Sequence, residues 1–225
     1  MPRTPLWTPT PERIASTRMD QFRRLVAADS PQVTDSLALH RWSIEHQGDF
    51  YTRLWDFAGG IGEAGTTAFD PADGSVRGGR FFPDSKVSMA ENLLAHREGA
   101  NDDAIVAITE LGDRRVYSWT QLRSEVAALA AALAADGVQP GDRVACYMPH
   151  VAETVITFLA ANAIGATFTS TSSDFGTAGV VDRFGQTTPT VLVAADGYRY
   201  GGKEFNNIDR IAEIRARLAG ITPRP

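Results

Sequence analysis

The 225-residue sequence contains a single cysteine, Cys146, and therefore has no internal disulfide bond. Disulfide bonds form in oxidising compartments, so a chain without them is typical of a reducing compartment. Residues 1–7 also lack the apolar core of a signal peptide. We therefore expect a cytoplasmic protein.

Long apolar runs and an excess of positive charge are both missing. The longest apolar run, residues 126–135, is far shorter than the ~20 residues that span a bilayer, so no membrane partner is expected. The net charge is −5, whereas nucleic-acid binding draws on a basic surface. We therefore expect no nucleic-acid partner, and the composition is that of a soluble globular protein.

No catalytic or metal-binding group of residues stands out. The histidines are His40, His46, His96 and His150; they have no metal-ligand spacing, and one cysteine does not complete a thiolate site. No Ser–His–Asp arrangement can be nominated from spacing. Cys146 lies in an apolar stretch and is predicted to be an inert core residue. We nominate no catalytic residue and no metal ligand.

The first 85 residues predict a mostly helical region. Thr10 followed by Pro11 is a helix start, and the helix is expected to run to about residue 28. The glycine-rich tract 59–79 predicts a loop or the tip of a hairpin. We interpret residues 1–85 as a helical N-terminal extension. One side of the predicted helix carries Ile14, Met19, Phe22 and Val26.

From residue 86 onward the pattern becomes regular. Ser88 with Glu91 is a capping box, which predicts a helix to about residue 97. Ser118 with Gln121 is a second capping box and predicts another helix. We interpret residues 86–225 as an α/β domain.

Strands and helices then alternate, which predicts parallel βαβ units with right-handed crossovers. An antiparallel hairpin precedes them, with strands at 104–109 and 115–119. Ligands of parallel sheets bind beyond the carboxyl ends of the strands, where loops 171–176 and 195–207 are predicted. The predicted strands are 142–148, 166–170 and 190–194, and the predicted helices are 151–164, 177–186 and 208–218.

The stretch GYRYGGKE, Gly197 to Glu204, is one residue short of a nucleotide-binding P-loop. A P-loop needs glycines that let the backbone curl round a phosphate, a Lys, and a hydroxyl for Mg²⁺. Glu204 stands where the hydroxyl belongs, and its charge would repel a triphosphate. The next helix also begins too late, because Asn206 or Asn207 is its better cap. We therefore predict that this is not a P-loop.

Two interpretations of this stretch remain open. It is a plain loop with incidental charges, or it offers Arg199 and Lys203 to an anion, with a nearby tyrosine for stacking. Residues 196–225 carry six Lys/Arg against four Asp/Glu, so this region is locally basic. Loop 169–176 is a weaker candidate. It has no Lys or Arg, and Asp174 works against an anion.

Residues from 117 onward resemble the adenylate-forming acyl-CoA synthetases. The resemblance rests on YSWTQL at 117–122, GVQPGDRVACYMP at 137–149 and ANAIGA at 161–166. Further stretches are similar to the acetoacetyl-CoA synthetases within that family and run nearly end to end. They are LWTP at 6–9, LHRWSIE at 39–45, FFPD at 81–84, AENLL at 90–94, SDFG at 173–176, DRF at 182–184 and YGGK at 200–203.

The resemblance implies a ligase that acts in two steps. The carboxylate of acetoacetate attacks ATP to give an acyl-adenylate and pyrophosphate, with Mg²⁺ offsetting phosphate charge, and the thiol of coenzyme A (CoA) then displaces AMP. By similarity to acetyl-CoA synthetases, loops 172–175 and 199–203 line the CoA nucleotide, and Arg199 and Lys203 meet its phosphates. The implied cofactor-binding residues are Ser172, Ser173, Phe175, Arg199, Tyr200, Gly201, Gly202 and Lys203.

Much of the family's machinery is absent from the sequence. The ATP loop ending in Lys, the adenine-binding motif, the ribose-binding Asp, the hinge and the catalytic Lys all lack a counterpart. We therefore expect the N-terminal part of such an enzyme, with 86–225 as the first part of a truncated AMP-binding-type domain. Alone it is expected to be inactive, because those motifs are missing. It is also expected to be marginally stable, because a sheet edge is left unpaired.

Two alternatives to this reading remain. The chain belongs to another short-chain acyl-CoA synthetase, for acetate or propionate. Or it is a stand-alone, non-catalytic module that binds CoA or a partner protein.

Overall fold

The structure is a computed structural model that describes residues 6–74, 77–95 and 102–218. The chain divides into two compact units, Met1–Val87 and Ser88–Pro225. The first is mainly helical in its described part, and the second combines helices with strands. None of the helices in the described stretches combines the length and the apolar character that a bilayer crossing requires.

The first unit packs its helices around a small aromatic and aliphatic core. That core contains Phe22, Val26, Val33, Leu39 and Trp42, all of them buried. Its elements are α1 (Pro11–Ala15), α2 (Arg18–Ala27), α3 (Ser36–Glu45), α4 (Gln47–Ala58) and the antiparallel pair β1 (Phe69–Asp70) and β2 (Arg80–Phe81).

The single helix predicted from Thr10 to residue 28 is wrong, because the chain breaks it in two. Thr10 does cap α1, but Thr17 caps a new helix by accepting a hydrogen bond from the Asp20 N–H at 3.1 Å. Its hydroxyl also donates to the carbonyl of Ile14 at 2.8 Å, which competes with helix continuation. The break turns Ile14 and Met19 outward, so only two of the four predicted apolar positions are buried.

The second unit begins with a helix and a hairpin that match the sequence predictions. The capping box of Ser118 and Gln121 is present, and Ser88 Oγ accepts from the Glu91 N–H at 3.2 Å. Residues 96 and 97 of the first predicted helix lie outside the described residues. The elements are α5 (Met89–Ala95), β3 (Asp103–Ile108), β4 (Arg114–Ser118), with β3 and β4 antiparallel, and α6 (Trp119–Ala135).

A parallel sheet with strand order β6-β5-β7 forms the centre of the second unit. Side chains of β5 alternate between its faces: Val144 joins the core under α6 and α7, whereas Ala145 and Tyr147 join the core under α8 and α9. The predicted α/β class with parallel βαβ units is confirmed. The elements are β5 (Arg143–Tyr147), α7 (Ala152–Ala163), β6 (Thr167–Thr171), α8 (Thr177–Gly185), β7 (Val191–Ala194) and α9 (Ile208–Arg217).

The stretch predicted as loop 195–207 contains an additional antiparallel hairpin, so the loop prediction is wrong. Its strands are β8 (Gly197–Tyr200) and β9 (Lys203–Asn206). Gly201 and Gly202 form its two-residue turn with φ of +59° and +74°, the conformation that a tight hairpin requires and that glycine adopts without strain. Residue Asn207 then precedes α9, and the neighbouring Asn206 side chain accepts from the Ile208 N–H at 2.8 Å.

Candidate functional site

The carboxyl ends of the three parallel strands open onto a cavity of about 670 Å³. This is the edge where parallel sheets bind ligands, and the volume lies within the range of small-molecule sites. Its walls come from the turn between β3 and β4, the segment after β5, the loop after β6, and β8. The residues that line these walls include Glu110, Asp113, His150, Ser172, Ser173, Asp174, Tyr198, Arg199 and Tyr200.

The predicted site residues fall into two sets. Ser172, Ser173, Arg199 and Tyr200 line the cavity together, although some 26 positions or more separate the two loops in the chain. Gly201, Gly202 and Lys203 stand at the tip of the β8–β9 hairpin and do not line it. Phe175 packs against the core under α8 and α9, with the Arg183 guanidinium 4.5 Å from its ring centre.

The loop after β6 is fixed by a buried tyrosine that the sequence analysis did not nominate. Tyr147 is fully buried, and its hydroxyl donates toward the carbonyls of Ser173 and Phe175 at 2.9 and 2.8 Å. Arg210 Nη1 donates to the Tyr147 hydroxyl at 3.2 Å and to Ser173 O at 3.3 Å. This hydrogen bond to Tyr147 raises the pKa of Arg210 above its ordinary value. In the sequence, Tyr147 stands inside the predicted strand 142–148 and the motif at 137–149, and in the structure it is the last residue of β5.

Around this network, three buried polar atoms have no hydrogen-bond partner in the part of the chain that the structure describes. They are Thr171 Oγ1, Ser173 Oγ and Asn207 Nδ2. Asn207 uses its other amide atom, Oδ1, to accept from Arg210 at 3.2 Å. Buried polar groups are nearly always hydrogen-bonded, so these atoms are suited to ordered water at the carboxyl edge of the sheet.

The charges of the β8–β9 hairpin are distributed unevenly. Arg199 and Glu204 face each other across the two strands and form an ion pair. Lys203 has no carboxylate partner within the described stretches, so its ammonium is available to an anion. Tyr200 is 70% exposed and presents its ring to solvent.

The geometry of the stretch GYRYGGKE, Gly197 to Glu204, excludes a P-loop. In a P-loop the glycine-rich turn leads directly into a helix whose N-terminus faces the phosphate. Here the glycine turn leads into strand β9, and α9 begins only at Ile208. The prediction that GYRYGGKE is not a P-loop is confirmed by its hairpin structure.

Metal-binding and nucleophilic groups give no alternative site in the described residues. Across 6–74, 77–95 and 102–218, no cluster of three or more His, Cys, Asp or Glu is arranged to hold a metal ion. His96 lies outside those ranges. Cys146 is fully buried in the central strand, and burial raises the pKa of its thiol to about 11. The thiol is therefore protonated at neutral pH and unsuited to nucleophilic chemistry.

We expect Cys146 to resist alkylation in the folded protein. At pH 8, with a pKa of about 11, only a minute fraction of the thiol is ionised, and burial also blocks the reagent. Mass spectrometry after iodoacetamide treatment should find Cys146 unmodified in buffer and fully modified in 6 M guanidinium. Rapid labelling in buffer would contradict the buried, neutral thiol.

Comparison with known proteins places this architecture in a family. Residues 94–222 match the family described as AMP-binding enzyme. The chain is 36% identical to an acetoacetyl-coenzyme A synthetase of Rhizobium meliloti (strain 1021), over 97% of this chain and 33% of the relative. It is 35% identical to an acetoacetyl-CoA synthetase of Macaca fascicularis, over 93% of this chain and 31% of the relative.

A solved structure gives the same result in three dimensions. The acetoacetyl-CoA synthetase from Streptomyces lividans superposes with a TM-score of 0.90 at 34% identity, covering 98% of this chain and 34% of that one. The chain thus spans about a third of the length of the relatives it matches. The predicted resemblance is confirmed, and the chain belongs to the AMP-binding enzyme family.

Proposed function

We propose that this chain is the N-terminal portion of an acetoacetate–CoA ligase. The observation that carries the proposal is similarity along almost the whole chain to acetoacetyl-CoA synthetases, at 36% identity over 97% of its residues. In this proposal residues 1–85 are a helical extension and residues 86–225 are the first part of the AMP-binding domain. The ligase acts in the cytoplasm on small molecules.

The proposed reaction has two steps. In the first, a carboxylate oxygen of acetoacetate attacks the α-phosphorus of ATP, forming the acyl-adenylate and releasing pyrophosphate. In the second, the thiol of CoA attacks the acyl carbon, loses its proton and expels AMP. The motifs that would bind ATP and Mg²⁺ have no counterpart in these 225 residues. We therefore assign both to the rest of the enzyme.

The part that this chain contributes in the proposal is a surface for the phosphorylated end of CoA. Lys203 supplies an ammonium that has no carboxylate partner among the described residues, and Arg199 supplies a guanidinium whose charge is partly balanced by Glu204. A charged donor on phosphate makes a stronger hydrogen bond than a neutral one. The exposed ring of Tyr200 offers a stacking surface for adenine. Ser172 and Ser173 line the same cavity as Arg199 and Tyr200.

The acidic residues near this surface limit where phosphate can bind. Asp174 and Glu110 both line the cavity, so its interior carries negative charge. Glu204 is exposed but engaged by Arg199. The favourable location for an anion is therefore the Lys203 side of the hairpin tip rather than the depth of the cavity.

We expect the 225-residue chain alone to show no turnover. The ATP loop and the catalytic Lys have no counterpart in it, so the adenylation step lacks its binding groups. The measurement is AMP release in a purified reaction with ATP, Mg²⁺, acetoacetate and CoA. The complete gene product is the positive control. Release of AMP that depends on both acetoacetate and this chain would overturn the prediction.

The substrate assignment is tested on the complete gene product with a panel of acids. Acetoacetate should give the highest kcat/KM for CoA-dependent AMP formation, and acetate and propionate should be poorer substrates. A preference for acetate or propionate would replace the assignment with another short-chain acyl-CoA synthetase. CoA binding without AMP formation from any acid would favour a non-catalytic CoA-binding module.

A further inference from the structure

One side chain from a distant hairpin is bound to the glycine turn of the β8–β9 hairpin. Glu110 lies in the turn between β3 and β4. One of its carboxylate oxygens accepts from the Gly201 N–H at 3.0 Å, and the other accepts from the Gly202 N–H at 3.3 Å. The contact spans 91 and 92 positions of the chain, so it is a tertiary contact and not part of either hairpin's own structure.

We propose that Glu110 is a positioning residue for CoA, which latches the β8–β9 hairpin so that Lys203 and Tyr200 face the ligand. This inference rests on the CoA surface proposed above. Glu110 does not touch CoA in this proposal. It acts on the hairpin through the two backbone N–H groups of the turn.

The β8–β9 hairpin needs such a latch because little else holds its tip. Each strand has four residues, and all four residues of β9 are exposed. The base of the hairpin is closed by the Asn207 N–H donating to Asp196 O at 2.7 Å, and Tyr198 stacks on Phe205 in its middle. A short, exposed two-stranded hairpin is marginal in water. Among the described residues, Glu110 supplies the hydrogen bonds that reach the turn from outside the hairpin.

The latch also explains how an acidic residue can lie beside an anion surface without defeating it. Two successive backbone N–H groups form a small positive concavity that is suited to an anion. Glu110 fills that concavity with both carboxylate oxygens, so its charge is directed to the turn. Glu204 is likewise occupied by Arg199. Within the described part of the chain, these two pairings leave the adjacent Lys203 as the charge of the hairpin without a partner.

The test compares Glu110→Ala with the wild type in the complete gene product. KM for CoA should rise about five-fold or more, because a loosened hairpin no longer holds Lys203 in place. The rate of acetoacetate-dependent ATP–pyrophosphate exchange, which does not use CoA, should stay within about two-fold of the wild type. Amide hydrogen exchange at Gly201 and Gly202 should become faster, while exchange in the central strand β5 should not.

Two further variants show whether the contact of Glu110 with the turn or only its negative charge affects KM for CoA. Glu110→Asp keeps the charge but shortens the side chain, so it should also raise KM for CoA. Glu125→Ala removes an exposed carboxylate of α6 that does not line the cavity, and it should leave KM for CoA unchanged. A fall in KM for CoA in Glu110→Ala would mean that Glu110 competes with the ligand, and it would overturn the proposal. So would an unchanged KM.

Measuring KM for CoA in Lys203→Ala as well distinguishes failure of the latch from failure of the proposed CoA surface. If Lys203→Ala raises KM for CoA and Glu110→Ala does not, the surface stands and the latch is wrong. If Lys203→Ala has no effect, the CoA surface is misplaced and the inference about Glu110 falls with it.

Discussion

Replacing Lys203 with Ala is expected to raise KM for CoA about ten-fold or more in the complete gene product. A hydrogen bond to a charged group contributes roughly 1.5–3 kcal/mol, and about 1.4 kcal/mol corresponds to a factor of ten in affinity. Lys203 is the cation of the hairpin that lacks a carboxylate partner in the described structure, so its loss is not compensated within the hairpin. The measurement is initial velocity against CoA concentration at saturating ATP and acetoacetate.

The controls for Lys203 test charge and location separately. Lys203→Arg keeps the positive charge and should retain most of the affinity for CoA. Arg215→Ala removes an exposed positive charge from α9 and should leave KM for CoA near the wild-type value. KM for ATP and for acetoacetate should be unaffected by Lys203→Ala. If Arg215→Ala and Lys203→Ala have equal effects, the site contributes only diffuse charge, and the specific assignment of Lys203 is wrong.

Replacing Tyr147 with Ala is expected to lower the free energy of unfolding by about 3–5 kcal/mol, the usual cost of deleting a fully buried aromatic side chain. The ring packs between the central sheet and the helices α8 and α9. The milder Tyr147→Phe removes only the hydroxyl, which leaves the carbonyls of Ser173 and Phe175 without its hydrogen bond. It should cost about 1–3 kcal/mol, because the Phe175 carbonyl and Arg210 each lose a hydrogen bond, although Ser173 O keeps the one from Arg210. Urea unfolding followed by circular dichroism measures both values.

A second substitution tests whether losing any tyrosine hydroxyl lowers the free energy of unfolding. Tyr200→Phe also removes a tyrosine hydroxyl, but Tyr200 is 70% exposed, so the free energy of unfolding should change by less than about 0.5 kcal/mol. Tyr147→Phe should additionally disturb the loop after β6, which is visible as faster amide exchange in residues 172–176. If Tyr147→Phe is as stable as the wild type, the buried network around this loop does not stabilise the fold.

The elements that the sequence predicted correctly are those with local signals. They are the capping box of Ser118 and Gln121, the hairpin with strands predicted at 104–109 and 115–119, and the alternation of apolar strands and helices. Such patterns act through neighbouring backbone groups, so they need no information about the rest of the fold. They were sufficient to predict a parallel α/β unit and the edge at which its loops gather.

The predictions that failed also have local causes. The helix predicted from Thr10 to about residue 28 passes through Thr17, but the hydroxyl of Thr17 caps a second helix and ends the first. The predicted loop 195–207 contains the Gly201–Gly202 pair, and two glycines between short strand-forming stretches favour a two-residue hairpin turn. In both cases a local hydrogen bond or turn preference overrides the longer pattern.

The sequence by itself determined the class of fold, the sheet edge at which the loops gather and the resemblance to acyl-CoA synthetases. Each of these follows from short motifs and from the periodicity of apolar residues. Only the tertiary structure decided that Glu110 binds the Gly201–Gly202 turn and that Arg210 supports Tyr147. These contacts join residues 63 to 92 positions apart, and nothing in the local pattern specifies them. They arise because packing helices on both faces of the sheet brings the ends of distant elements to one edge.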